Sequence, residues 1–415
     1  MSRILDVYLH DMLTGQLMQD RSGNLSFTYA DEYVKSGQMA ISISMPLRFD
    51  PYDALTAGAF FSGLLPDDMV RHRLARYLGV SERNPFALLE AIGGECAGAL
   101  CLYPQNQTPP TENNNAEYLD DQKLKKILAL LKRQPMLAGD NGLRLSLAGA
   151  QDKIAVGIKN NQIMLIRGTT ATTHILKPVI SDIDSSVHNE YFCMQLAKLI
   201  GIEVPPSNIQ FIDDTPYFVI TRYDRIKVST HQISRLHQED FCQAMSIMPT
   251  MKYEREGGPN VQQCQHLLRS VSARPAADQI AFFKRLIFNY LIGNADAHGK
   301  NFALLYTTNK PVLAPAYDLL STAIYPELST KMAMKIGGKY QPGDVFLHHW
   351  HQLAADTATA RKNLTKQLQD LSYQCLKQAE NLKRHLLKSQ LTSPVYDQII
   401  EIIHDRSQKI IQQCR

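Results

Sequence analysis

The sequence predicts an α+β fold, mixed β/α at its N-terminal end and mostly helical at its C-terminal end, on three observations. Apolar residues alternate early, at Leu5, Val7 and Leu9 and again at Leu25, Phe27 and Tyr29, which is the period of half-buried strands. Late in the chain they recur at helical spacing, as at Leu364, Leu368, Leu371 and Cys375. Between the two, strand-like and helix-like runs alternate from 143 to 224. These textures divide the chain into an N-terminal α+β subdomain over 1–103, a linker over 104–120, a strand-rich lobe over 121–225 and a helical lobe over 226–415.

Each element has its own reason. Ile41 and Ile43 extend the early alternation until Pro46 closes it. From 59 to 78 the period becomes helical, with Pro66-Asp67-Asp68 as a helix start, and 85–92 forms another short helix. Gly93-Gly94 then breaks into a strand through Leu102. The run 104–115 is polar, rich in Pro and Asn and without apolar period, hence the linker. Beyond a helix at 124–131, the stretch 143–151 followed by 153–156 reads as strand, small-residue turn, strand; 164–166, 174–176 and 218–224 read as further strands, and 189–200 as an amphipathic helix. A final helix carries Ile399, Ile402, Ile403 and Ile410.

Composition bounds the function. The 415 residues are 44% hydrophobic and 20% charged, ordinary for a soluble globular protein with ample core. A net charge of +4 makes no case for nucleic acid as the primary partner. Seven scattered cysteines without CxxC pairs read as reduced core residues of a cytoplasmic protein. No run reaches the roughly 18 apolar residues of a membrane span, and the N-terminus has no long apolar signal region, so no membrane partner is expected.

Ionisable residues concentrate in Gly293-Asn294-Ala295-Asp296-Ala297-His298-Gly299-Lys300-Asn301, between a buried-looking helix at 282–292 and a short apolar strand at 302–306. A carboxylate that takes a hydroxyl proton and an amide oxygen that binds Mg²⁺ are what a phosphotransferase loop needs, and Asp296 and Asn301 have that spacing. Lys300 beside them would neutralise charge on a transferred phosphoryl group. A plain turn, with Asp and Asn satisfying backbone groups, is the bland alternative. A metal hydrolase using Asp296 and His298 is another, weakened by the lack of a second His/Glu pair at zinc-ligand spacing. Asp318, in Ala316-Tyr317-Asp318-Leu319-Leu320, is either the N-cap of a buried helix or a second oxygen ligand for a hard cation. Lys177 ends a strand and Glu190 opens the next helix. They are either surface residues or a pair that orients nucleotide phosphates. The 146–153 turn lies where a phosphate-covering loop belongs, yet it lacks both GxGxxG and the Walker pattern.

Five weak signals thus lie in the chain order of a protein kinase: phosphate loop, Lys, helix Glu, catalytic loop, metal Asp. At these residues the chain resembles the HipA family of bacterial toxin serine/threonine kinases. The resemblance rests on Ser146-Leu147-Ala148-Gly149-Ala150-Gln151-Asp152-Lys153, Asn189-Glu190-Tyr191, Gln238-Glu239-Asp240, the 293–301 motif and Tyr317-Asp318-Leu319. Phe60-Phe61-Ser62-Gly63-Leu64-Leu65-Pro66-Asp67 and Ala91-Ile92-Gly93-Gly94 resemble that family's first subdomain, so nearly the whole chain is covered.

The resemblance implies a protein-kinase-like fold and an activity dependent on ATP and Mg²⁺. Asp296 would be the catalytic base, and Asn301 and Asp318 the Mg²⁺ ligands. Lys177, Glu190 and Lys300 would serve the ATP site, with Ala148, Gly149, Ala150, Gln151 and Lys153 as the phosphate loop. Thr221 and Tyr223 would meet adenine through the hinge backbone, although Thr221 stands where the family has an acidic residue. Ser146 would be the autophosphorylation site, whose modification in this family ejects the loop; a phosphate there adds about −1.5 to −2 charges beside the ATP phosphates. The resemblance further implies a HipB-like DNA-binding antitoxin, operator DNA reached mainly through that complex, and a translation-related target such as an aminoacyl-tRNA synthetase. No His-Arg precedes Asp296 and no Phe or Gly flanks Asp318, so activation-loop regulation does not carry over. His298 is expected to orient rather than catalyse. A catalytically silent nucleotide-binding partner and a small-molecule kinase remain alternatives, since the same core supports both.

Overall fold

Leu5, Val7 and Leu9 are buried on Arg3–Leu9, an inner strand of a four-stranded antiparallel sheet. Its order is Leu25–Tyr29, Met12–Gln19, Arg3–Leu9, Leu100–Pro104. Val7 faces Gly15 on one side and Leu102 on the other. In this computed structural model, residues 2–107, 109, 115–140, 143–168, 170–229, 233–308 and 310–414 are described. The chain divides into two compact units, each discontinuous in sequence.

The first unit comprises Met1–Pro178, Gln210–Lys252 and Ala303–Pro311. Besides the four-stranded sheet it holds the helices Ala54–Gly63, Asp68–Leu78 and Pro85–Ile92, close to where the apolar period put them. Asp53 and Asn84 cap the first and third by accepting from the backbone N–H groups of Thr56 and Ala87. A six-stranded sheet follows, ordered Asn115–Tyr118, Gln162–Arg167, Ile154–Lys159, His174–Pro178, Thr215–Thr221, Ser207–Ile212. One hydrophobic core, running from Leu5 and Phe61 to Ile154, Leu176 and Val219, serves both sheets. Of the linker expected at 104–120, residues 108 and 110–114 lie outside the described residues, while Asn115–Tyr118 is the edge strand.

Two expected strands do not form, for the same physical reason. Ile41 and Ile43 are buried or half-buried but join no ladder, because the Ile43 N–H donates to the Glu239 carboxylate at 2.9 Å instead. The 143–151 stretch makes only two isolated bridges, Leu145 to Glu95 and Gly149 to Pro66. The Ser146 N–H donates to Glu95 O at 2.8 Å within the first bridge, but the Leu147 N–H goes to the Met136 sulfur, and the pairing stops there. A backbone donor used elsewhere is lost to a ladder.

The second unit, Val179–Ile209, Tyr253–Phe302 and Val312–Arg415, is mainly helical. Ala358–Lys388, a helix of 31 residues, packs along Val395–Gln413. Leu364, Leu368, Leu371, Cys375, Leu382 and Leu386 form its buried stripe, opposite an Ile399, Ile403 and Ile410 stripe. Ser186–Leu199 and Pro275–Ile292 complete the bundle. From 314 to 346 the chain forms turns and an Ile336–Lys339 bridge but no helix or strand, apart from the one helical turn Pro342–Asp344. All seven cysteines are free, and six are buried. Among the described residues no helix is long and apolar enough to cross a membrane.

Candidate active site

The 293–301 loop is built from the end of Pro275–Ile292 outward. Gly293 terminates that helix in the left-handed region, φ +79°. A Cβ there would come within 2.7 Å of the Ala323 Cβ, so glycine is required twice over. The loop is then tied to 322–323. Thr322 Oγ1 accepts from the Ala295 N–H at 2.8 Å and donates to Gly293 O at 3.1 Å, and the Ala323 N–H donates to the same carbonyl at 3.0 Å. Asn294 works in both directions. Its Oδ1 accepts from the Asp296 N–H at 3.0 Å, and its Nδ2 donates to Asn289 Oδ1 at 3.0 Å and to Asp318 O at 3.4 Å.

Asp296 itself is half-buried and held at its backbone. Its carbonyl receives the His298 N–H at 2.8 Å and Asn301 Nδ2 at 3.0 Å. That second bond fixes the amide orientation of Asn301 and leaves Oδ1 as the atom available to a cation. Asn301 and Asp318 line one small pocket together with Asn294, Arg285 and Tyr317. Asp318 is not a helix cap: no helix follows it, and it sits at φ +51°. Two oxygen donors in one pocket suit a hard divalent ion completed by phosphate and water oxygens. Among the described residues no group of three or more His, Cys, Asp or Glu is placed to hold a metal, so the Asp296–His298 hydrolase reading finds no third ligand. Lys300 is buried, and its carbonyl accepts from Tyr317 Oη at 2.7 Å.

Glu190 is buried on Ser186–Leu199 in the same unit. The remaining expected residues belong to the first unit. Lys177 is buried on His174–Pro178 opposite Phe218, whose ring centroid lies 5.8 Å from Nζ. In the 148–153 turn, Lys153 Nζ donates to Ala148 O at 2.8 Å, closing a loop around Gly149. Gly149 has φ +112°, and a Cβ there would strike Lys153 Nζ at 2.5 Å. Its carbonyl accepts from the Asp67 N–H at 3.1 Å, and Gln151 Nε2 donates to Pro178 O at 3.3 Å. Ser146 has no exposed surface and donates to Leu64 O at 2.7 Å. Thr221 ends the strand Thr215–Thr221 opposite His174, and Tyr223 Oη donates to Gln238 Oε1.

Sequence reasoning missed three contributors. Asn189 is legible only as part of the Asn189-Glu190-Tyr191 motif, with no role of its own, and Thr322, next to Ser321, carries no signal at all. Tyr253 is the third: its Oη donates to Asp296 Oδ1 at 2.5 Å, and its ring meets the His298 ring edge-on at 5.2 Å.

With that geometry in view, the comparisons with known proteins are specific. Residues 5–103 match the model of the HipA N-terminal domain, and 145–380 match that of the HipA-like C-terminal domain. The chain is 41% identical over 374 residues to a protein of Sinorhizobium fredii called putative kinase Y4mE, covering 89% of each. It is 30% identical over 368 residues to the serine/threonine-protein kinase toxin HipA of Shewanella oneidensis, covering 85% of this chain and 82% of that protein. Among solved structures it is similar to Shewanella oneidensis MR-1 HipA, determined with HipB and operator DNA. The TM-score is 0.79 at 25% identity, over 99% of this chain and 96% of that one.

Proposed function

The chain belongs to the HipA family of serine/threonine-kinase toxins, and from that premise we propose that it transfers the γ-phosphoryl group of ATP to serine or threonine hydroxyls in a Mg²⁺-dependent reaction. The observation that supports it most is the 293–301 loop: Asn301 bonds the backbone of Asp296 while sharing a pocket with Asp318. Asp296 accepts the proton of the acceptor hydroxyl as the hydroxyl oxygen bonds the γ-phosphorus and the bond from that phosphorus to the ADP oxygen breaks. Asn301 Oδ1 and the Asp318 carboxylate hold Mg²⁺, which when bound offsets charge on the phosphate oxygens. Lys177, Glu190, Lys300, the 148–153 turn and the backbone at Thr221 and Tyr223 bind and orient the nucleotide.

Ser146 is the self-phosphorylation site in this reading. Its hydroxyl donates to a carbonyl without solvent access, and a phosphate cannot keep that bond. The partner is a HipB-like DNA-binding antitoxin through which the chain reaches operator DNA, a reading supported by the HipB and operator DNA in the similar Shewanella assembly. The target is a cytoplasmic translation protein such as an aminoacyl-tRNA synthetase. Inducible expression tests the toxin role. Growth should arrest with the natural chain, continue with Asp296→Asn, and recover when the antitoxin is co-expressed; arrest by Asp296→Asn as strong as by the natural chain would refute it.

A further inference from the structure

The geometry points to Tyr253 as a positioning residue for phosphoryl transfer, one that fixes the Asp296 carboxylate. This rests on Asp296 being the base. The backbone of Asp296 is already held by Asn294, His298 and Asn301, so side-chain rotation is the freedom that remains. Tyr253 Oη removes it by donating to Oδ1 at 2.5 Å. A carboxylate so engaged presents its other oxygen, Oδ2, for the acceptor proton, and the phenol has no need to leave during the reaction.

The phenol is itself fastened. Its ring meets the His298 ring edge-on, 5.2 Å between centroids and 87° between planes, and the Arg255 guanidinium lies 5.0 Å from its centroid. Tyr253 immediately precedes the turn Glu254–Glu256, and that turn is anchored. The Glu254 N–H donates to Ala333 O at 3.1 Å, the Lys335 N–H donates to Glu254 Oε2 at 2.6 Å, and Lys335 Nζ stands 3.6 Å from Oε1. An aromatic side chain with only two torsions, gripped on its ring and at its backbone, can set a carboxylate to within the tolerance that proton transfer demands.

The test compares the purified full chain with Tyr253→Phe, which keeps the ring and loses only the hydroxyl. The readouts are the rate of Ser146 labelling at saturating ATP, the ATP concentration for half-maximal rate, and Tm. The maximal rate should fall roughly tenfold while the ATP half-saturation stays within about twofold. A merely structural tyrosine would move Tm and ATP half-saturation with the rate, and that pattern overturns the proposal. So does an unchanged rate. His298→Ala covers the case in which Tyr253→Phe fails to fold: it should slow labelling about threefold at unaltered ATP half-saturation, and full activity counts against the proposal. Absent labelling by the natural chain overturns the kinase reading and this role with it. An active natural chain with an equally active Tyr253→Phe overturns the positioning role alone.

Discussion

Asn189 and Ser321 exchange two hydrogen bonds of 2.8 Å each, Nδ2 to the Ser321 carbonyl and the Ser321 N–H to Oδ1, with neither residue exposed. Asn189 Nδ2 also lies 3.1 Å from Tyr325 Oη, which donates to Asp184 O. The side chain thus does for the 318–325 segment what a partner strand would do. Asn189→Ala leaves two buried backbone groups unsatisfied and should cost about 3 kcal/mol in urea unfolding. It should also weaken Mg²⁺-dependent nucleotide binding, because Asp318 lies on the freed segment.

Ser146 makes the next prediction. Ser146→Ala removes one donor to Leu64 O, at a cost of about 1 kcal/mol, and should retain ATP binding while accepting no phosphate. Ser146→Asp puts a charge against that carbonyl in a site without solvent access. The 147–153 segment should become open to limited proteolysis, with ATP affinity lower by on the order of tenfold.

How much of this is legible in the sequence follows the range of each interaction. Pro85–Ile92 and the C-terminal end of Pro275–Ile292 are readable because proline, glycine and apolar period act over a few residues, whereas the start at Pro275, seven residues before the expected 282, is not. The family motifs at 146–153, 293–301 and 317–319 are readable as strings. The contacts that give them geometry are not. Ser146 meets Leu64 across 82 positions, Asn189 meets Ser321 across 132 and Tyr253 meets Asp296 across 43. Period and propensity carry no information at that separation. The strands expected at 41–43 and at the start of 143–151 fail for a related reason, since Glu239, 196 positions away, takes the Ile43 N–H and the Met136 sulfur takes the Leu147 N–H.

Glu239 predicts a pH dependence. Burial, only partly offset by donation from Ser42, Tyr306 and the Ile43 N–H, raises its carboxyl to about 7. The folded state therefore holds a proton that the unfolded chain releases near 4.5, and this contribution to stability is lost as pH rises from about 4.5 through about 7. Buried His237, lowered to about 4, works in the opposite sense: its contribution is lost as pH falls from 6.5 through about 4. The clean quantity is the difference between Glu239→Gln and the natural chain. It should grow in favour of the variant by up to about 3 kcal/mol between pH 4.5 and 8 in urea unfolding; a difference independent of pH contradicts the assignment.

Asp318 predicts a split in ligand response. ATP with Mg²⁺ at 100 times its Kd should stabilise the natural chain by about 2.7 kcal/mol. Asp318→Ala should lose the part of the thermal shift that EDTA abolishes and keep the metal-free part. A Mg²⁺-dependent shift as large in Asp318→Ala as in the natural chain would place the ion elsewhere.

The central claim, that Asp296 is the base of a protein kinase, is tested most directly by mass spectrometry of the purified chain after incubation with ATP and Mg²⁺. The natural chain should carry one phosphate on Ser146, and Asp296→Asn, equally folded, should gain it roughly 10²–10⁴-fold more slowly. Phosphate accumulating in Asp296→Asn at the natural rate, or none on the natural chain, would contradict the account.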